Sequence, residues 1–153
     1  EIIAELPANN VVLDPFGEGK GGTVVACMYK VPEEGNSCIL YGLYDSSSGR
    51  ELVPCSRKEG FAINADRFVL KDTCLIGPDY DDFAAIYDRN GNVICDGGEY
   101  QDIIFGYGNS NGVGVILKPS ESTGTADLKG YVIDADGNKL SEELDYLTAT
   151  DES

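Results

Sequence analysis

Leu43-Tyr44-Asp45-Ser46-Ser47-Ser48-Gly49-Arg50-Glu51-Leu52-Val53 is the stretch whose reading decides the fold. An apolar pair runs into an aspartate, a glycine follows a short polar link, and a second apolar segment leads away. The order returns in Ile86-Tyr87-Asp88-Arg89-Asn90-Gly91-Asn92-Val93-Ile94 and in Val132-Ile133-Asp134-Ala135-Asp136-Gly137-Asn138-Lys139-Leu140. Each reads as strand, turn, strand. The aspartate accepts from backbone N–H groups ahead of it, and the glycine takes a positive φ that side chains resist. Asp45 and Asp88 are 43 residues apart, Asp88 and Asp134 46. A period of that size marks a chain built from one supersecondary unit used again.

The other apolar runs are also short and rich in β-branched and aromatic residues, among them Val11 to Leu13, Thr23 to Tyr29, Phe61 to Ile63, Arg67 to Leu70 and Ile103 to Phe105. Turn-forming clusters such as Pro32 to Asn36 and Gly106 to Asn111 separate them. Such punctuation predicts an all-β meander of antiparallel hairpins. A chain of 153 residues, 42% apolar, fits a single domain, with hairpin repeats near 11–55, 56–99 and 100–147. Only the run from Ser141 to Leu147 has helical spacing, and with Ser141 as N-cap it predicts a short C-terminal helix.

Gly130-Tyr131-Val132-Ile133-Asp134, continued to Gly137 and Leu140, resembles the WG-repeat family of degenerate β-hairpin repeats, widespread in bacteria. Tyr100-Gln101-Asp102-Ile103-Ile104-Phe105-Gly106, followed by Gly112-Val113-Gly114-Val115-Ile116, matches the downstream half of that pattern. Gly42-Leu43-Tyr44-Asp45 opens a further copy, with one extra residue before Gly49. The likeness spans the larger part of the chain but lacks the family's signature tryptophan, since the chain has no Trp. It implies a fold of hairpin repeats and little chemistry, and suggests secreted or surface-exposed binding modules. The second resemblance is to a β-propeller blade, on Leu43 to Leu52. Propellers close with at least four blades, so three would need further blades or further copies of the chain.

Asp and Glu number 27 against 11 Lys and Arg, a formal charge of −16. Such a surface repels phosphate backbones and anionic lipid, which argues against nucleic-acid binding and membrane insertion and leaves solubility or cation attraction. The chain begins at Glu1 rather than Met, which leaves two readings, a processed chain whose export signal has been removed or a piece of a longer protein. Five cysteines (Cys27, Cys38, Cys55, Cys74 and Cys95) are odd in number and lack any C-x-x-C spacing, so they read as reduced apolar thiols. That leaves a cytoplasmic location open beside an extracellular one. Cys55, ahead of Ser56-Arg57-Lys58, is the thiol with positive charge close in sequence.

With no His in the chain, Ser-His-Asp and Cys-His catalysis and His-based zinc sites are excluded. Gly17-Glu18-Gly19-Lys20-Gly21-Gly22 lacks the Lys-Ser/Thr ending of a nucleotide loop and reads as a hairpin loop. Asp134, Asp136 and Asn138 match the opening of a calcium loop. The sixth and twelfth positions, which need Gly and Glu, hold Lys139 and Asp145, so a turn is the plainer reading. Asp79-Tyr80-Asp81-Asp82 is a second acidic cluster, read as a solvated turn. The expected function is a non-catalytic binding or scaffold module for a protein or glycan, with Tyr80, Tyr100 and Tyr107 offering stacking faces to a sugar. The alternatives are a calcium-stabilised structural repeat on Asp134, Asp136 and Asn138, and a small hydrolase working with paired carboxylates.

Overall fold

The computed structural model describes residues 10–13, 22–30, 38–72, 83–98, 100, 102–106, 112–119 and 128–145. Among them every regular element is a β-strand. β1 (Asn10–Leu13), β2 (Thr23–Lys30), β3 (Cys38–Asp45) and β4 (Glu51–Arg57) form the first sheet. β5 (Glu59–Asn64), β6 (Arg67–Lys71), β7 (Ala84–Asp88) and β8 (Val93–Asp96) form the second. β9 (Asp102–Phe105), β10 (Gly114–Pro119), β11 (Leu128–Ile133) and β12 (Leu144–Asp145) form the third. Strands lie beside one another in chain order throughout, and every pairing is antiparallel.

The three aspartate turns join the third and fourth strands of each sheet, or lead toward the fourth. In the second and third sheets a three-residue loop closes with Asp88 N–H on Asn92 O (2.9 Å) and Asp134 N–H on Asn138 O (3.0 Å). Gly91 and Gly137 sit in these loops at φ 82° and 81°, donating to Asp88 O and Asp134 O. This is the tight turn with a left-handed glycine that twists hairpin strands correctly. The first sheet carries the extra residue in its turn, where Gly49, at φ 68°, donates instead to the carbonyl four residues back at 2.7 Å, that of Asp45.

Side chains alternate between the two faces of a strand, and here both faces of the central strands β6 and β7 are buried. Phe68, Leu70, Ala85 and Tyr87 pack with Val25 and Leu43 of the first sheet. Val69, Ala84 and Ile86, one residue out of phase, pack with Ile103, Phe105, Ile116 and Ile133 of the third. Each apolar pair before an aspartate is thereby divided. Leu43 and Ile86 face the following sheet, while Tyr87 and Ile133 face the preceding one. Burying a side chain of this size contributes about 1.5 to 3 kcal/mol.

One ion pair is buried between the second and third sheets. Lys71 Nζ donates to Asp102 Oδ1 at 2.7 Å, and the two residues are 6% and 4% exposed. Lys71 also reaches the Ile103 carbonyl at 3.4 Å and lies 3.5 Å from the carboxylate of the exposed Glu59.

The helix expected from Ser141 to Leu147 is not what its described part forms. Leu144 and Asp145 are β12, paired with Gly130 and Lys129, and Ser141 Oγ accepts from Val132 N–H at 3.0 Å instead of capping a helix. The free edge of β11 offers ready ladder partners, whereas a two-turn helix is too short to hold itself. Residues 146 and 147 lie outside the described residues.

Two substitutions test these constraints. Gly137→Ala should destabilise by about 2 kcal/mol or more in urea denaturation. The left-handed φ alone costs an L-residue about 1 to 2 kcal/mol, and a Cβ here would lie 2.5 Å from Cys95 Cβ and Sγ. Lys71→Met should cost about 3 kcal/mol or more by leaving Asp102 buried without its cation. The double variant Lys71→Met, Asp102→Leu should recover much of that loss, and an additive double variant would show that the two groups are not coupled.

Candidate functional site

The turns of the first and second sheets wall a cleft of about 360 Å³, lined by polar groups of Thr23, Asp45, Ser47, Arg50, Arg89 and Asn90, with Gly22 and Leu52 behind them. The start of β2 is fastened to the first turn. Ser46 N–H donates to Gly22 O at 2.8 Å, Gly22 N–H donates to Ser46 Oγ at 2.9 Å, and Ser46 Oγ–H donates to Gly22 O at 2.6 Å. The second sheet joins through the Thr23 hydroxyl, which donates to the Arg89 carbonyl. Both walls are therefore held by short-range turn chemistry and by a contact between sheets.

Asp45 is the one carboxylate among the lining residues, and its oxygens are engaged. Oδ1 accepts from the Ser47 hydroxyl (2.6 Å) and backbone N–H (2.9 Å), and Oδ2 from the Ser48 hydroxyl (2.8 Å). These bonds, the Ser47 hydroxyl foremost, bring its pKa down to about 2. Two arginines, Arg50 and Arg89, line the same cleft. Arg50 is exposed, and its side chain has no hydrogen bond or ion pair among the described residues. Arg89 lies 3.5 Å from Asp66, with side chains 61% and 58% exposed, a pair that water screens to little effect. Arg50, Arg89 and Asn90 thus bring polar side chains to the lining, while the Ser47 hydroxyl is spent on Asp45.

The residues singled out from sequence lie elsewhere. Tyr80 and Tyr107 are outside the described residues. Tyr100, expected as an exposed stacking face, is 9% exposed and stands against the second sheet's core. Its ring meets Tyr131 edge-on at 6.0 Å between centroids, and Lys118 and Lys139 stand over its faces at 5.3 and 5.4 Å. A Tyr packed against an apolar sheet ahead of β9 gains more from burial than from water. Lys139 also lies 3.7 Å over Tyr131.

Asp134, Asp136 and Asn138 do come together, as a turn. Asp134 Oδ1 accepts from the N–H groups of Asp136 and Asn138, each at 2.9 Å, and Oδ2 accepts from Asn138 Nδ2 at 2.9 Å. Asp136 instead takes the Arg67 guanidinium at 2.5 Å. Asp134 Oδ1 and Oδ2 and Asp136 Oδ1 are thus hydrogen-bonded, and among the described residues no three His, Cys, Asp or Glu side chains form a metal-holding group. Asp79, Asp81 and Asp82 are outside the described residues.

The thiols follow burial. Cys55 is 8% exposed beside Val24 and Tyr44. Nearby in sequence, Arg57 is committed to Asp72 at 2.6 Å and to the Phe83 ring at 3.7 Å. Cys95 is half-buried and free. Burial first, then the Asp96 and Asp134 carboxylates, raise its pKa against the opposing Lys139, so it stays a thiol at neutral pH.

Sequence reading missed the cleft because its lining comes from three separated segments. The usable signal was positional. Arg50 follows the turn glycine Gly49, Arg89 follows the turn aspartate Asp88, and both stand in a chain with only 11 basic residues.

The turn carboxylates predict an acid response. Asp134 is held below the usual carboxylate range, first by the Asn138 amide, and at Asp88 bonds from Asn92 and Asn90 outweigh the opposing pull of burial. A group whose folded pKa is depressed stabilises the fold above its unfolded pKa and loses that contribution as pH falls through the folded value. Stability should therefore decline as pH drops from 3.8 toward about 2. Urea titrations over that range should show a shallower decline in Asp45→Asn; an unchanged slope would remove Asp45 from the account.

No protein-family model, no curated protein and no solved structure matches this chain.

Proposed function

We propose that this chain is a non-catalytic binding and scaffold module whose stacked β-sheets hold turns in fixed relation, and that its ligand is a glycan carrying a carboxylate. The cleft between the first two turns carries the reading. Its volume of about 360 Å³ is at the small end of ligand sites, the scale of a sugar unit or two. Its polar lining suits a hydroxyl-rich guest, and the Arg50 and Arg89 forks match carboxylate geometry. Screening confines the repulsion of the distant acidic surface, since charges beyond about 8 Å contribute little at physiological salt.

The four-stranded meanders in chain order support the blade-like reading of the repeat, and the aspartate turns support the hairpin-repeat reading equally. A secreted or cell-surface location fits the charge of −16, which favours solubility. Among the described residues no helix is long and apolar enough to cross a membrane. Catalysis by paired carboxylates finds less support than binding, because Asp45 is the cleft's single carboxylate and its lone pairs are occupied.

Calorimetry with uronic-acid oligosaccharides, and neutral ones of equal length as control, tests the proposal. Arg50→Gln and Arg89→Gln should each weaken binding of the acidic sugar by about tenfold or more, the loss of one charge-assisted contact, with melting temperature unchanged. Equal affinity for neutral and acidic sugars, or no binding by the folded protein, would refute the carboxylate-glycan reading.

A further inference from the structure

The pairing that fills the interface between neighbouring sheets occurs three times. Val25 stands opposite Leu43 in the first sheet, Val69 opposite Ile86 in the second and Val115 opposite Val132 in the third. The first pair is covered by the second sheet and the second pair by the third, leaving these four residues 2%, 0%, 0% and 0% exposed. In the third sheet Ile116 and Ile133 face inward, so Val115 and Val132 face outward, and both are only half-buried. Ile104, paired with Val115, extends the row and is 41% exposed. Val113 (36%) and Leu140 (56%) flank it. A contiguous aliphatic patch of this kind is unusual on the surface of a chain that is 25% charged.

The other end of the stack is closed. Val24, Tyr44 and Cys55 on the outer face of the first sheet are 7%, 1% and 8% exposed. A head-to-tail array, in which the third sheet of one chain receives the first sheet of the next, has no open acceptor there. The open part of the third sheet's face is the aliphatic row Ile104, Val115 and Val132, which complements itself, while Leu117 on the same side of β10 is 5% exposed.

We propose that the outer face of the third sheet, centred on Ile104, Val115 and Val132, is an interface for a second copy of this chain, sheet on sheet about a twofold axis. It continues the interface that already joins the first sheet to the second and the second to the third. Aligned packing of two β-branched faces at about 10 Å is the ordinary geometry of a sandwich. A closed first sheet and an open third sheet give an isologous pair that stops at two copies, whereas a head-to-tail contact would ring or run on as a filament. The negative charge of each copy opposes the contact, so added salt strengthens it.

Sedimentation equilibrium on the full chain tests this. A reversible dimer of the 16.4 kDa chain is expected at micromolar concentration, tighter in high salt. Ile104→Lys and Val115→Lys should each raise the dissociation constant by at least about tenfold, with melting temperature and circular dichroism of the monomer retained. A dimer indifferent to both lysines would place the contact elsewhere and overturn the proposal. So would a chain that stays monomeric at every concentration and salt. In that second case, fusing an additional copy of residues 59–98 behind residue 153 would show, by a raised melting temperature, that the face takes a further sheet of the same polypeptide.

Discussion

The two central strands of the middle sheet, β6 and β7, have water on neither face, and that constraint organises the rest. A sheet with one wet face alternates apolar and polar residues, but a sheet packed on both sides cannot. Phe68, Val69 and Leu70 are consecutive and buried, as are Ala84, Ala85, Ile86 and Tyr87. Their phase assigns them to opposite neighbours, Phe68 and Leu70 to the first sheet and Val69 to the third. A slip of one residue in either strand would exchange the two sets, putting Tyr87 where Ile86 fits. Lys71 is the one charged residue of β6 drawn inside, and Asp102 of the third sheet meets it there. The pair acts less as a source of net stability than as a mark of which sheet lies against which, because a misdocked third sheet would take Asp102 away from Lys71.

The aspartate turns add a second level of register. Each is self-contained, with the carboxylate accepting from groups only two to four residues ahead. Each later turn also touches the sheet before it at the same place. The second turn receives Thr23, the first residue of β2, on the Arg89 carbonyl. The third turn holds Arg67, the first residue of β6, through Asp136. Glycine matters to this docking as well as to the turn. A Cβ on Gly91 would lie 3.0 Å from Leu52 Cβ, and one on Gly137 still closer to Cys95. The residue that permits the left-handed backbone is also the one thin enough to let the turn lie on the preceding sheet.

This explains what could be read from the sequence and what could not. Local chemistry was legible. The Asp-to-Gly spacing predicts turns, and the extra residue before Gly49 appears as a hydrogen bond reaching one carbonyl further. All-β architecture follows from runs such as Arg67 to Leu70. Choices between local and tertiary partners were not legible. Ser141-Glu142-Glu143-Leu144 has helical spacing, yet the edge of β11 claims Leu144 and Asp145. Tyr100 reads as a solvent-facing aromatic beside Glu99 and Gln101, but it packs against Ile103 and the second sheet's core. Asp134, Asp136 and Asn138 have the composition of a calcium loop, and only the hydrogen-bond geometry shows Asp134 accepting from its own turn and Asp136 from Arg67.

The same saturation separates structure from recognition in the turns. A carboxylate that accepts three or more bonds from its own turn has little left to offer a ligand, so Asp45, Asp88 and Asp134 build the frame. The side chains beside them are released from structural duty. Arg50 follows the glycine and Arg89 precedes its turn's Asn90, positions where the backbone alone makes the hairpin and any side chain is accommodated. Asp136 occupies a comparable place in the third turn and is spent on Arg67. Chemistry can therefore vary from turn to turn while the hairpin stays constant. Because the frame also docks each turn on the preceding sheet, two neighbouring loops are held at a fixed separation without a lid or hinge. On the binding reading we propose, rigid placement of variable side chains is what discriminates between guests, since little ordering entropy is left to be lost on binding.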